Sequence, residues 1–141
     1  MASKDPKVDL IATVSLFKGL GRRELEQIAQ LMDEVDLPAG RTLIREGETG
    51  AEMFVIVSGR VTVERDGRKI AERGPGDAIG ELALLSKGRR NATITTHEPT
   101  RVLVAGHREF QSLMDTHPTV RLGVLEGVVD KIRELDASAI H

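Results

Sequence analysis

The chain has 141 residues, a length typical of one domain that buries a core without disulfides. It has no cysteine, which excludes thiol catalysis and leads us to expect a reducing, cytoplasmic location. Its 20 Lys and Arg against 22 Asp and Glu give a formal net charge of -2, and there is no Trp or Tyr. This composition disfavours direct binding to DNA, and no apolar run is long enough to span a membrane.

The N-terminal part of the chain predicts helices. Residues 1–7 are polar and are expected to form a flexible tail, followed by a single domain over residues 8–141. Residues 8–14 predict a short helix, and residues 15–20 a linker with anchoring apolar side chains. A second, amphipathic helix is predicted over residues 21–32, because apolar residues recur there at helical spacing: Leu25, Ile28, Ala29 and Met32.

From about residue 33 to residue 105 the pattern changes to short strands separated by turn residues. Residues 53–57 are almost wholly apolar, as in a strand covered on both faces. Asp66-Gly67 is the strongest hairpin signal. Many short strands at this spacing predict an antiparallel sandwich or jelly-roll barrel. Glycines mark the turns between them: Gly40, Gly47, Gly59, Gly67, Gly76 and Gly80.

Helical spacing returns after the strands, over about residues 107–136. A short helix is predicted to end near His117-Pro118, and a long helix follows. The long helix carries an apolar stripe formed by Leu122, Leu125, Val128, Val129, Ile132 and Leu135. We expect the stripe to pack against the barrel, with a lid over a ligand or a homodimer seam as further roles. Gly123 and Gly127 lie inside this helix and are interpreted as lowering the cost of bending it.

Residues 76–95 carry the clearest chemical signal. Gly76 and Gly80 allow a close backbone approach to a ligand, and residues 81–85 have room for about one helical turn. Positive charge gathers after that turn, and residues 91–96 read as a strand. This order predicts a site for one phosphate, with Glu81 beside it to accept hydrogen bonds from hydroxyl groups.

The chain reads Ile-Gly-Glu-Leu-Ala-Leu-Leu at residues 79–85 and Arg-Asn-Ala at residues 90–92. This pattern resembles the phosphate-binding cassette of cyclic nucleotide-binding domains. The resemblance covers about residues 10–135. It implies that Glu81 accepts the ribose 2′-hydroxyl, that Arg90 binds the cyclic phosphate, and that two backbone amides face the phosphate or ribose. The implied ligand-binding residues are Gly80, Glu81, Leu82, Ala83, Arg90, Asn91 and Ala92.

The resemblance also implies a fold, a ligand and a switch. The fold is α+β, an antiparallel β jelly-roll barrel flanked by N-terminal helices and two C-terminal helices. The expected ligand is cyclic AMP, with cyclic GMP as the alternative, and no metal or other cofactor is expected. Three positions depart from the family pattern: Ile79 replaces an aromatic residue, Arg89 a proline, and Asn91 a small residue. C-terminal helices fold over the base in related domains, and the candidate contacts here are Val128, Lys131, Ile132 and Arg133.

Three functional hypotheses follow. The first is a non-enzymatic receptor for a cyclic nucleotide, acting on an unknown effector protein. The second is a degenerate barrel that no longer binds nucleotide and serves only as a protein-interaction module. The third is a cupin-type enzyme. No histidine lies two or four residues from another, so the third hypothesis lacks a metal site and the histidines are interpreted as surface or turn residues. An intact Glu81 and Arg90 favour the receptor.

Overall fold

The computed structural model describes residues 5–139 and divides them into two compact units. One unit contains residues 5–30 and 112–139, and the other contains Leu31–Gln111. The helices are α1 (Pro6–Ile11), α2 (Arg22–Gln30), α3 (His107–Thr116) and α4 (Pro118–Ala139). Two short 3₁₀ helices, Ser15–Phe17 and Glu81–Leu84, complete the helical elements of this part of the chain. We call Glu81–Leu84 the cassette helix.

Ten strands form the unit of residues 31–111. They are β1 (Asp33–Leu37), β2 (Thr42–Ile44), β3 (Thr49–Gly50), β4 (Glu52–Ser58), β5 (Val61–Arg65), β6 (Arg68–Arg73), β7 (Ala78–Ile79), β8 (Gly88–Arg89), β9 (Thr93–Thr96) and β10 (Thr100–Gly106). They pair antiparallel in two four-stranded sheets, β1-β10-β4-β7 and β2-β9-β5-β6, and in a two-stranded ladder of β3 and β8. The antiparallel jelly-roll fold predicted from the sequence is confirmed.

Side chains from both sheets meet in one core. The members from the first sheet are Phe54, Ile56, Ile79 and Val102, and those from the second are Ile44, Val61 and Ile94. Strand β4 is buried at four successive residues, 53–56, as expected for a strand covered on both faces. This apolar core includes Ile79 and Ile94, and so it fixes the register of the strands that flank residues 80–92.

Local turn predictions agree with the backbone. Asp66 and Gly67 form the two-residue turn of the β5–β6 hairpin, both with positive φ. All six glycines assigned to turns from the sequence have φ between 69° and 92°. Three short strands were not predicted, namely β3, β7 and β8, because two-residue strands carry no periodic signal.

The helix boundaries in the structure differ from the predicted ones by a few residues. Helix α1 begins at Pro6, so residues 6 and 7, predicted as tail, are helical, and Asp5 caps the helix by accepting from the Lys7 amide. Residues 1–4 lie outside the described residues. Helix α2 ends at Gln30, two residues before its predicted end, and it buries Leu25, Ile28 and Ala29 as predicted.

The prediction for the packed face of α4 is wrong. Val120 and Val124 are buried, whereas Leu122, Leu125 and Ile132 are 59%, 57% and 58% exposed. The reason lies in the two glycines of the helix. A Cβ at Gly123 would meet the Leu20 side chain, and one at Gly127 would meet the Leu16 backbone. Close packing against residues 16–20 therefore selects the glycine face of α4 and leaves its leucine face in solvent.

Candidate functional site

The cassette helix begins at a glycine in the left-handed conformation. Gly80 has φ 69° and ψ 25°, a region that residues with a Cβ rarely adopt, and Glu81–Leu84 follow as one 3₁₀ turn. Glu81 is half-buried, and its Oε2 atom is shielded from solvent. The chain thus places a carboxylate of reduced solvent access at the first residue of the turn.

The rest of the cassette helix is anchored on its buried side. Ala83 and Leu84 are buried, whereas Leu82 is 56% exposed. The Ala83 amide donates to the Gly80 carbonyl at 3.0 Å. A ligand that used the Ala83 amide would have to share or replace that bond, so its predicted ligand contact stays a prediction.

Arg90 lies between β8 and β9, and its backbone is held by the loop before β3. The Arg90 amide donates to the Glu48 carbonyl at 2.7 Å, and the Arg90 carbonyl accepts from the Gly47 amide at 2.8 Å. Reciprocal backbone bonds of this kind hold one residue in one register. The backbone position of Arg90 is therefore fixed by the chain itself.

The Arg90 side chain reaches back beside the start of the cassette helix. Its Nη2 donates to the Glu52 carbonyl at 2.5 Å. Both Gly50 and Gly80 border the guanidinium so closely that a Cβ on either would overlap it. The side chain is half-buried, and this burial lowers the pKa of the guanidinium, while the charge of Glu52 acts in the opposite direction.

This arrangement suits one phosphate. A guanidinium has five N–H donors, so its bond to Glu52 leaves others for phosphate oxygens. Charge-assisted bonds to phosphate are stronger than neutral ones, and reduced exposure of Arg90 strengthens them further. Glu81 is an acceptor when ionised and suits a hydroxyl, whereas it repels phosphate.

The remaining cassette residues occupy distinct environments. Asn91 is exposed, and its carbonyl accepts from Arg65 Nε at 2.8 Å. Ala92 is buried at 6% exposure. Lys87 and Arg89 are exposed and raise the local positive potential from solvated positions.

Sequence reasoning missed the residues that hold the far end of the cassette helix. His107 Nδ1 lies 2.8 Å from the Ala83 carbonyl, and Gln111 Nε2 donates to the Leu84 carbonyl at 3.0 Å. A carbonyl only accepts, so His107 carries its proton on Nδ1. The prediction of His107 as a simple surface or turn residue is wrong, because it is half-buried and bonded. No local pattern marked these two residues, since their partners lie 24 and 27 positions away.

The predicted base contacts lie on α4. Val128 and Lys131 are half-buried, and Ile132 and Arg133 are exposed. Lys131 lines a small cavity within its own unit, together with Ser15, Lys18, Gly127, Asp130 and Glu134. The roles of these four α4 residues toward a ligand stay predictions.

Two further features of the described residues bear on other functions. Within residues 5–139, no group of three or more His, Cys, Asp or Glu side chains is placed to hold a metal ion. None of the helices in that range combines the length and the apolarity that crossing a membrane requires.

Comparisons with known proteins agree with the geometry. The family model of the cyclic nucleotide-binding domain matches residues 34–117. A cyclic nucleotide-gated potassium channel of Rhizobium etli is 37% identical over 121 residues, which are 83% of this chain and 34% of the channel. A CRP-like cAMP-activated global transcriptional regulator of Mycobacterium tuberculosis is 27% identical over 89% of this chain and 58% of the regulator. The chain thus spans between a third and three fifths of these relatives.

Solved structures show the same fold. The N-terminal domain of a transcriptional regulator from Streptomyces coelicolor superimposes with a TM-score of 0.84 at 32% identity, covering 92% of this chain and 94% of that one. The regulatory domain of Toxoplasma gondii PKA, crystallised with cAMP, gives a TM-score of 0.71 at 31% identity, covering 78% of this chain and 46% of that one. The cassette glycine, carboxylate and arginine, the jelly-roll sheets and the family match lead to one conclusion: this chain belongs to the cyclic nucleotide-binding domain family.

Proposed function

We propose that the chain is a receptor module for a cyclic nucleotide, with cyclic AMP as the preferred ligand and no catalytic activity of its own. The observation that carries the proposal is the position of the Arg90 guanidinium, which lies against Gly80, where the cassette helix begins. Arg90 would bind the cyclic phosphate, and Glu81 would accept the ribose 2′-hydroxyl. The solved PKA relative, which carries cAMP, supports the same class of ligand.

The preference for cyclic AMP rests on Asn91. In related domains that select guanine, a threonine often follows the cassette arginine and bonds the guanine amino group. Asn91 occupies that position here and is exposed, and its side chain both donates and accepts. Because asparagine can imitate threonine in this respect, competition between the two nucleotides is the direct test.

Calorimetric titration of the purified chain with cyclic AMP tests the receptor function. We expect one site per chain, and competition experiments should show weaker binding of cyclic GMP. Linear 5′-AMP is the control, because it has the same base and ribose without the cyclic phosphate. If neither cyclic nucleotide binds, the chain is instead a degenerate member of the family that acts only as a protein-interaction module.

We further propose that nucleotide binding is signalled through α3. The carbonyls of Ala83 and Leu84 are held by His107 and Gln111, in the first half of that helix. A displacement of the cassette helix must carry these bonds with it or break them, and α3 continues from there to Thr116. A ligand shifts such an equilibrium only by binding one arrangement more tightly than the other.

Hydrogen exchange tests this route. Saturating cyclic AMP should slow amide exchange in residues 120–135 of the wild type. Gln111→Ala should reduce that slowing, because it removes the donor to Leu84, and Ser112→Ala on the exposed side of α3 is the matched control. Unchanged exchange over residues 120–135 with saturating ligand would show that the signal leaves by another surface.

A second proposal concerns the exposed face of α4, which we assign to a second copy of this chain. Leu122, Leu125, Val129 and Ile132 follow the spacing of the a and d positions of a coiled coil, and each is at least 40% exposed. In a parallel pair, Arg121 at a g position would face the partner's Glu126 at an e position, which is a favourable pairing of opposite charges. Four solvated apolar side chains in one row are unusual unless a partner covers them.

The dimer is tested by light scattering coupled to size-exclusion chromatography. The wild type should elute with twice the chain mass, and Leu125→Glu should be monomeric, because it places a charge in the seam. Ala137→Glu adds the same charge to an exposed position outside the seam and should stay dimeric. A monomeric wild type would exclude a second copy as the occupant of this face.

A further inference from the structure

Gly50 lies directly beside the Arg90 side chain. It is buried in the two-stranded ladder of β3 and β8, where it pairs with Gly88. A Cβ built on Gly50 would overlap the Nε, Cζ and Cδ atoms of Arg90. The paired glycine is different, since a Cβ on Gly88 would have no heavy atom within 4 Å apart from those of Gly88 and its two chain neighbours.

Conformational freedom does not explain this glycine. Gly50 is not one of the glycines with a positive φ, so alanine can adopt the same backbone conformation at this position. Glycine is therefore required at this position because it has no side chain. The volume that a Cβ would fill is occupied by the aliphatic stem and guanidinium of Arg90.

Residues 47–52 contact Arg90 in three ways. Gly47 and Glu48 bond its backbone, Gly50 leaves room for its side chain, and the Glu52 carbonyl accepts from its guanidinium. We propose that Gly50 is a positioning residue for anion binding, which acts by letting Arg90 lie across β3 with its guanidinium against the cassette. This inference rests on the proposed function, because it assigns to Gly50 a role in the affinity of that site.

Gly50→Ala should displace the Arg90 side chain. The three heavy atoms nearest to the new methyl group all belong to the Arg90 side chain, which is long and flexible enough to move away. The fold should therefore persist while the guanidinium leaves the Glu52 carbonyl. We expect cyclic AMP affinity to fall by about tenfold or more, because an arginine that must be reordered on binding contributes less.

The experiment compares the wild type with Gly50→Ala, Gly88→Ala, Arg90→Ala and the double variant Gly50→Ala/Arg90→Ala by calorimetry with cyclic AMP. Gly88→Ala is matched to Gly50→Ala, since it makes the same change on the paired residue of the same ladder. We expect Gly88→Ala to bind within about twofold of the wild type. In the Arg90→Ala background, Gly50→Ala should have no further effect on affinity, because the side chain that it displaces is absent.

A second readout needs no nucleotide. In NMR spectra, the Nε–H proton signal of Arg90 can be identified by its loss in Arg90→Ala. The chemical shift of this signal should change in Gly50→Ala and stay the same in Gly88→Ala. Failure of the wild type to bind either cyclic AMP or cyclic GMP would refute the proposed function, and the Arg90 signal would still decide the role of Gly50. An Arg90 signal in Gly50→Ala that matches the wild type would overturn the inference, as would equal affinities of Gly50→Ala and Gly88→Ala in a wild type that binds.

Discussion

Arg90→Ala is the most direct perturbation of the proposed site. The side chain is half-buried, and its guanidinium lies against Gly80 with Nη2 bonded to the Glu52 carbonyl. Truncation leaves the bound phosphate without its counter-charge. Loss of one partner of a buried, hydrogen-bonded charge pair costs about 2–5 kcal/mol, and the partial exposure of Arg90 favours the lower part of that range, about 2–4 kcal/mol. The affinity for cyclic AMP should therefore fall by about 30- to 900-fold.

Calorimetry on matched variants measures this loss. Arg89→Ala is the control, because it removes the same charge from the adjacent, exposed residue and should change affinity only a few-fold. Arg90→Lys should give an intermediate loss, since an ammonium keeps the charge and lacks the planar fork that binds two phosphate oxygens. If Arg89→Ala weakened binding more than Arg90→Ala, the assignment of the cassette arginine would be wrong.

The stability of Arg90→Ala separates binding from folding. The bond to the Glu52 carbonyl is a single hydrogen bond from a charged donor, and net contributions of such bonds are about 1.5–3 kcal/mol. Denaturant unfolding should therefore show a loss within that range. A much larger loss would mean that the reduced affinity reflects a damaged fold, and the reasoning about phosphate contact would fail.

Three further predictions concern other residues. Wild type should bind 2′-deoxy cyclic AMP about 10- to 150-fold more weakly than cyclic AMP, because it loses one hydrogen bond to a charged group. Glu81→Ala should bind the two nucleotides with equal affinity. Equal affinities in the wild type would exclude Glu81 from ribose recognition. Asn91→Thr should shift preference toward cyclic GMP by a few-fold in competition assays, and an unchanged ratio would exclude this residue from base selection. The hydrogen bond from Arg101 lowers the pKa of Asp36 in the folded state below its ordinary value of 3.8. The contribution of this pair to the free energy of unfolding is therefore complete above that pH and disappears as the pH falls through the folded-state pKa. Urea unfolding of Arg101→Gln should therefore differ from the wild type at pH 7 and converge with it in acid, whereas a constant difference would assign the effect to packing.

The sequence determined the features that depend on neighbouring residues. The turn glycines, the Asp66-Gly67 hairpin and the helical turn after Gly80 were all predictable, because positive φ and short-range hydrogen bonds are properties of a few consecutive residues. The order of short strands followed from alternation and turn spacing, and so did the fold class. The cassette pattern also identified Arg90 and Glu81 as the candidate phosphate and ribose ligands.

Only the tertiary structure decided which distant groups meet. The contact of Arg90 with Gly50 and the Glu52 carbonyl joins residues 38 or more positions apart, and the bonds of His107 and Gln111 to the cassette helix join residues that share no local pattern. The same holds for α4, where apolar residues lie on more than one face and periodicity alone could not select the packed one. Packing distance made the choice: only the glycine face allows the helix to approach the backbone of Leu16, and that steric fact exists only when both segments are in place.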